Sequence, residues 1–404
     1  MDVKHVDLRF PPGKEAVLWS GGARQELTGQ PGRLPLVVAL PARNEAERIG
    51  RTLHALGRQL QETPASLSVV VLVNNSTDDT AQEARRTAAT LPVAVHVVEE
   101  EFAPEEAHVG RARGRALELA AALLDGHPGG LLATTDADTI AAPDWSAAMR
   151  RALAHADLVG GRILTLPEEK ASLPASVRFL QLWDASYHLL ATRLESWLNP
   201  DPADPWPRHH QHFGANLGLR LSTWNQIKAW PEVRCLEDMA LVQEVRRLDL
   251  RVRHCPETRV WTSVRQSGRV EIGLSTQLRE WHELTGRQQR WTVPGAAELR
   301  AAAEARALLR RYRQHHFAAD QRLEAAWMVP PGALQAGLDA PTLGLAYELA
   351  LNARHDAGMW HRHYPPVPVE QAVYDLRTYF ACAPHTPTPV TQQDLLRQET
   401  TRPR

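Results

Sequence analysis

Leu36-Val37-Val38-Ala39-Leu40-Pro41-Ala42-Arg43-Asn44-Glu45 is an apolar run that stops abruptly at a polar turn. An unbroken apolar run without alternation suits a strand buried on both faces, as found inside parallel sheets. A helical pattern from Glu45 to Leu60 follows, completing a β–α unit. The pattern then recurs: Leu67–Val73 reads as a strand, Asn74-Asn75-Ser76-Thr77 as a turn, and Asp79–Ala89 as a helix. Val93–Val98, a helix over Val109–Leu124 and a strand Leu131–Thr135 continue it, the last ending at Asp136. Strands alternating with helices imply right-handed crossovers and a mostly parallel, Rossmann-like sheet flanked by helices. In such sheets ligands bind beyond the carboxyl ends of the strands.

Working outward, residues 1–33 are rich in Gly, Pro and polar side chains and read as an irregular N-terminal arm. After the apolar run Leu158–Leu164, the residues Val177, Leu180, Trp183, Tyr187, Leu190, Leu194 and Trp197 share one helical face. That face belongs to a helix packed on the core, or to a surface for a hydrophobic acceptor. Asn199–Pro207 holds four prolines and reads as a surface loop. Beyond it, Gly214–Leu219 reads as a strand, Cys235–Leu248 as a helix and Arg251–Thr262 as a hairpin-like pair of strands. The pattern is helical from about Gly268 to Leu309 and in shorter pieces to Ala381, and the polar tail over 384–404 is expected to be mobile. No internal repeat is found.

The length, 404 residues, suggests two domains or one large domain with appendages. Lys+Arg at 46 against Asp+Glu at 47 leaves a formal charge of -1, which excludes an overall pull toward nucleic acid or acidic membrane. Charge-dependent chemistry must therefore be local. The three cysteines, Cys235, Cys255 and Cys382, are too widely spaced for a CxxC zinc or redox site. The first residues lack a signal-peptide pattern, and no apolar run reaches the roughly 18 residues of a membrane span. A cytoplasmic protein without a transmembrane segment is expected.

The strongest chemical signal is Thr134-Thr135-Asp136-Ala137-Asp138, two carboxylates one residue apart at the end of an apolar strand. Such a pair repels itself unless a cation lies beside it, and oxygen ligands select hard divalent ions such as Mg²⁺ or Mn²⁺. The turns Pro41–Glu45 and Asn74–Thr80 lie at the same sheet edge, where their side chains can bond a nucleoside and their amides are expected to be free for ligand. Ordinary helix capping explains the same residues. Glu237-Asp238 opens a helix, where acidic groups also favour the helix dipole. His209, His210 and His212 precede Gly214 without an established metal-ligand spacing.

Taken together, Pro41-Ala42-Arg43-Asn44-Glu45, Asn74-Asn75-Ser76-Thr77-Asp78, Gly110-Arg111-Ala112-Arg113, Asp136-Ala137-Asp138, Gly214-Ala215-Asn216 and Glu237-Asp238 resemble, in order and spacing, a family-two nucleotide-sugar glycosyltransferase of GT-A fold. The resemblance covers about residues 34–265. It implies a GT-A domain over 34–268, with a nucleotide-binding half at 34–140 and an acceptor half at 141–268. A C-terminal helical extension over 269–383 would cover the acceptor site or form a homodimer contact.

By the same resemblance, Pro41, Arg43, Glu45, Asn74, Asn75, Arg113, Asp136, Ala137, Gly214, Asn216 and Arg265 would line the nucleotide-sugar site. Asp136 and Asp138 would hold Mn²⁺ or Mg²⁺. Asp238 would be the base of an inverting transfer, and Glu237 would orient the acceptor or its loop. Many relatives carry an acidic residue where Val73-Asn74 stand, whereas Asn74 can donate as well as accept, which leaves the base open; the donor is expected to be of UDP or GDP type, with the acceptor unidentified. Retaining relatives use a late histidine as a metal ligand, for which His212 and His254 are the candidates. Arg265 and Arg269 lie in the segment that resembles the diphosphate-facing arginine. Two alternatives remain. A sugar nucleotidyltransferase would normally start with a Gly-rich loop and a basic catalytic residue, whereas no lysine lies between Lys14 and Lys170. A non-catalytic nucleotide-sugar-binding relative would not need Asp136, Asp138 and Asp238.

Overall fold

The computed structural model describes residues 17–21, 34–59, 66–227, 230, 233–265 and 273–382. One sheet carries the strands β1 (Val17–Gly21), β2 (Leu36–Ala42), β3 (Leu67–Asn74), β4 (Ala94–Glu100), β5 (Leu131–Thr134), β6 (Thr139–Ala141), β7 (Leu158–Thr165), β8 (Leu217–Arg220) and β9 (Val252–Thr262). Their spatial order is β1-β4-β3-β2-β5-β8-β7-β9-β6. Strands β2, β3, β4, β5, β7 and β9 run one way, while β1, β6 and β8 run against them. The mostly parallel sheet expected from the sequence is present.

Helices α1 (Ile49–Gly57), α2 (Thr80–Ala88), α3 (Val109–Ala122) and α4 (Trp145–Leu153) connect the first strands. The central strands are mostly apolar because both faces are covered. Val38, Leu40, Val69 and Val71 pack with Ile49, Leu53, Ala84 and Trp145 on one side. Val37, Ala39, Val70 and Leu72 pack with Ala112, Ala116 and Leu117 on the other. Burying a Val or Leu side chain contributes roughly 1.5–3 kcal/mol, so this double layer is the main source of the fold's stability.

Several local readings are corrected. β2 continues through Pro41 to Ala42, and α1 begins only at Ile49. Pro41 is tolerated because the β2–β5 ladder ends at Ala39↔Thr134, so nothing on that side needs its missing N–H. The helix starts late because Asn44 is left-handed (φ 51°) and the following chain is bonded to the neighbouring turn. The expected strand at Gly214 begins as a 3₁₀ turn, Gly214–Asn216. Arg251–Thr262 is no hairpin but the single strand β9, parallel to β7, with an irregularity that passes from Cys255 to Arg259. Pro256 cannot donate to the ladder, and the chain bulges there without reversing. The arm at 1–33 is not wholly irregular, since β1 lies antiparallel along β4. The tail over 384–404 and Arg269 lie outside the described residues.

Apart from a two-residue antiparallel pair, Thr292–Val293 with Val367–Pro368, the other regular elements among the described residues are helices: α5 (Pro167–Lys170), α6 (Ala175–Leu198), α7 (Leu221–Gln226), α8 (Glu237–Arg247), α9 (Leu274–Gly286), α10 (Ala296–Gln314), α11 (Gln321–Trp327), α12 (Gln335–Leu338), α13 (Leu343–Ala357), α14 (Met359–His363) and α15 (Val369–Cys382). The apolar face of α6 is buried, but against the C-terminal helices and not against the sheet. Val177, Leu180, Tyr187 and Leu194 meet Leu278, Trp281, Val373 and Leu376. That face is packing surface. Among the described residues no helix is long and apolar enough to cross a membrane.

Candidate active site

The two polar turns at the ends of β2 and β3 are bonded to each other. Asn44 N–H donates to Ser76 Oγ (3.0 Å), Glu45 N–H to Thr80 Oγ1 (2.7 Å) and Ala46 N–H to Asp78 Oδ2 (3.2 Å). In return Thr77 N–H donates to Asn44 Oδ1 at 2.7 Å. These amides are therefore taken by protein groups, which corrects the expectation that they wait for a ligand. Asn75 is also left-handed (φ 47°), and its side chain joins both backbone groups of Phe102. Asn74 is buried and donates to Asn75 Oδ1 at 3.3 Å. Arg43 is exposed and donates to the Ala107 carbonyl at 3.1 Å.

Asp136 and Asp138 follow β5, and each meets an arginine. Arg113, buried on α3, donates from Nη2 to Asp136 Oδ1 (2.8 Å), from Nε to Glu237 Oε1 (2.8 Å), and from Nη1 to Thr134 Oγ1 (2.9 Å) and the Gly214 carbonyl (3.0 Å). Burial works against its charge, but Asp136 and Glu237 hold it protonated. Arg113 thus ties α3, β5, the Gly214 turn and α8 together through protein acceptors. Arg265, at the end of β9, forks onto Glu45 and lies 3.2 Å from Asp138 Oδ2. Glu169 supports that end of the chain by accepting from Ser263 Oγ (2.7 Å) and Val264 N–H (2.9 Å). Burial, then repulsion from Asp136, pushes the Asp138 carboxyl up to about 6.

Asp238 stands in the first turn of α8. Its Oδ2 accepts the Gly214 N–H and its Oδ1 the Met239 N–H, both at 2.7 Å. Burial and the adjacent Glu237 raise its pKa, the direction that suits a proton acceptor working near neutrality. Because Arg113 reaches both Asp136 and Glu237, the two carboxylate pairs lie within the span of one guanidinium. Asn216 is fully buried, with its amide bonded to Trp145 Nε1, the Arg162 carbonyl and the Thr258 carbonyl. Pro41 and Ala137 frame the same edge as backbone positions. Thr52 Oγ1 donates to the Ala137 carbonyl at 2.8 Å.

The histidines form a separate buried network. Asp204 accepts from His254 Nδ1 (2.7 Å) and His254 N–H (2.9 Å), and His254 Nε2 faces His212 Nδ1 at 3.0 Å. His210 stacks on His188 with ring centroids 3.9 Å apart. Among the described residues no three His, Cys, Asp or Glu side chains are grouped to hold a metal ion. His212 and His254 are thus engaged with each other and with Asp204.

Burial lowers His209 to about 4, His212 to about 3 and His210 to about 2. In the unfolded chain each would titrate near 6.5. Below pH 6.5 the unfolded state therefore binds more protons, and stability falls with pH by up to about 1.4 kcal/mol per unit per histidine. Below about pH 6 the raised carboxyl of Asp138 acts in the opposite sense, and the upward shift of Asp238 has the same sign as that of Asp138. The expected result is a shallower decline of the urea midpoint between pH 7.5 and 5 for His210→Gln than for the unaltered protein.

Sequence reading quoted Thr134 and Thr80 within motifs without giving either its structural partner, and it did not find Glu169 or Asp204. The first two are ordinary strand-end and helix-start residues, and Asp204 carried only the signal of an acid within a proline-rich loop.

No curated protein matches the chain. Among solved structures it is similar to a mannosyltransferase, PcManGT from Pyrobaculum calidifontis in complex with GDP-Man and Mn²⁺, at 18% identity over 91% of this chain and 79% of that one, with a TM-score of 0.43. It is also similar to Staphylococcus aureus TarS in complex with UDP-GlcNAc, at 16% identity over 82% of this chain and 92% of that one (TM-score 0.39). A third is Mycobacterium tuberculosis glucosyl-3-phosphoglycerate synthase, at 21% identity over 65% of this chain and 85% of that one (TM-score 0.37). The family model for glycosyl transferase family 2 matches residues 37–205, from β2 to the proline-rich loop, and stops short of Gly214 and Asp238. Residues 37–205 are accordingly a glycosyl transferase family 2 domain, and the enzyme they belong to is a glycosyltransferase.

Proposed function

We propose that this chain transfers a sugar from a nucleotide-diphosphate donor, of UDP or GDP type, to an acceptor hydroxyl with inversion at the anomeric carbon. The observation that supports it most is the meeting of Asp136, Asp138, Arg265 and Glu45 at one sheet edge, with Asp238 tied to the same edge through Gly214. Asp136 and Asp138 are hard oxygen donors whose mutual repulsion a divalent cation would relieve, so they fit Mn²⁺ or Mg²⁺ and would be the residues that hold it. When bound, such an ion would offset negative charge on the departing diphosphate. Arg265 lies beside Asp138 and presents N–H groups suited to phosphate oxygens. Asp238 accepts the acceptor hydroxyl proton as that oxygen attacks from the face opposite the leaving group.

Thermal unfolding with UDP or GDP, with and without Mn²⁺, tests this. A nucleotide at about 100 times its Kd adds roughly 2.7 kcal/mol. One nucleotide is expected to stabilise the protein chiefly when Mn²⁺ is present, and Asp138→Asn to remove the metal-dependent part. Equal stabilisation of both proteins with and without metal, or none in either, would overturn the reading.

A further inference from the structure

Four exposed apolar side chains stand beside Asp238 or in the segment that leads to it. Leu236 is 41% exposed, Met239 40%, Val233 37% and Phe213 37%. They come from two separate segments that meet at the base. Phe213 directly precedes Gly214, whose N–H binds Asp238, while Leu236 and Met239 flank Glu237-Asp238. Val233 sits over the start of α3, so close that a Cβ at Gly110 would fall 2.0 Å from the Val233 carbonyl. Single exposed apolar residues need no explanation, but four that two segments bring to the neighbourhood of one carboxylate point to a contact surface.

Leu236 carries a second signal. It occupies the position before α8 where Ser, Thr, Asp or Asn would cap the helix, and its backbone is left-handed (φ 59°). Gly or Asn adopts that conformation at lower cost than a branched apolar residue. Leucine there forgoes the cap, strains the backbone and exposes hydrocarbon to water.

Resting on the reading of Asp238 as the base, we propose that the acceptor is an amphipathic alcohol, its reacting hydroxyl adjoined by an aliphatic chain that lies on Phe213, Val233, Leu236 and Met239. A base must touch the acceptor hydroxyl, so the side chains next to it touch whatever adjoins that hydroxyl. A carbohydrate acceptor could set a C–H face on Phe213, but its ring-edge hydroxyls would find no hydrogen-bond partner on Val233, Leu236 or Met239. Flexible Leu and Met side chains instead adapt to an alkyl chain.

Transfer to methyl β-glucoside and octyl β-glucoside, each below micelle-forming concentration, separates the alkyl chain from an unchanged set of hydroxyls. A fully buried methylene is worth about fourfold, so even partial contact predicts a kcat/KM at least about tenfold higher for the octyl compound. Met239→Ser and Leu236→Asn, the latter suited to the left-handed backbone, are expected to bring that ratio toward one. A ratio near one in the unaltered protein, or an unchanged ratio in both variants, overturns the proposal. So does a shift from dimer to monomer on Met239→Ser seen by light scattering, which would make the rim a contact between copies of this chain. If no sugar leaves the donor under any condition, the proposed transfer itself fails. The rim is then judged by NMR saturation transfer to the octyl protons in the presence of UDP or GDP with Mn²⁺, where signal lost in both variants supports it and no signal, or an unchanged one, overturns it.

Discussion

Replacing Asp238 with Asn is expected to slow sugar transfer by about 10²–10⁴-fold, the usual contribution of a positioned general base, while the nucleotide is bound as before. The amide has nearly the shape of the carboxylate but cannot take a proton. Its structural effect is small because two changes oppose each other. Asn can accept from only one of the Gly214 and Met239 amides, and a lost hydrogen bond of this kind costs about 1 kcal/mol. Removing the charge, however, relieves the repulsion with Glu237 that raises the Asp238 pKa. Steady-state kinetics beside nucleotide titration checks this, and a variant within about threefold of the normal turnover would remove Asp238 from the mechanism. The product's anomeric configuration from an α-linked donor reports inversion independently.

The second large effect falls on the scaffold. Arg113→Met is expected to destabilise the protein by about 3–5 kcal/mol, the range seen when one partner of a buried ion pair is removed. Glu237 is only 3% exposed and would be left as a carboxylate without its cation. Thr134 Oγ1 and the Gly214 carbonyl would lose a donor as well. Lysine is no substitute, since a single ammonium cannot reach acceptors spread around a planar fork. Adding Glu237→Gln to Arg113→Met is expected to restore part of the loss, because the second change removes the stranded charge. Urea unfolding of the single and double variants measures the coupling. Additive losses would mean that Arg113 and Glu237 do not depend on each other.

Particular residues show how much of this was legible in the chain alone. The apolar runs at Leu36–Leu40 and Leu67–Val73 announced a sheet covered on both faces, since only that environment permits unbroken hydrocarbon in a strand. Asp136-Ala137-Asp138 was equally plain, because paired acids at a strand end have little value to stability. What escaped were facts created by partners distant in sequence. Arg113 looked like a ligand contact, yet its bonds to Glu237 and Gly214 span 124 and 101 residues and hold it within the protein. Arg251–Thr262 read as a hairpin-like pair of strands, and only the pairing of β9 with β7 shows that the chain runs on. The left-handed backbone at Leu236 runs against residue preference, so propensity points away from it.

The interlocked turns after β2 and β3 carry one more consequence. Asn44 gives its N–H to Ser76 and takes one from Thr77, so neither loop can be redrawn without disturbing the other. Much of the entropy lost in shaping that edge of the sheet is therefore lost at folding, before any ligand arrives. Attempts to redesign either turn should treat the two loops as one graftable cassette, exchanged together.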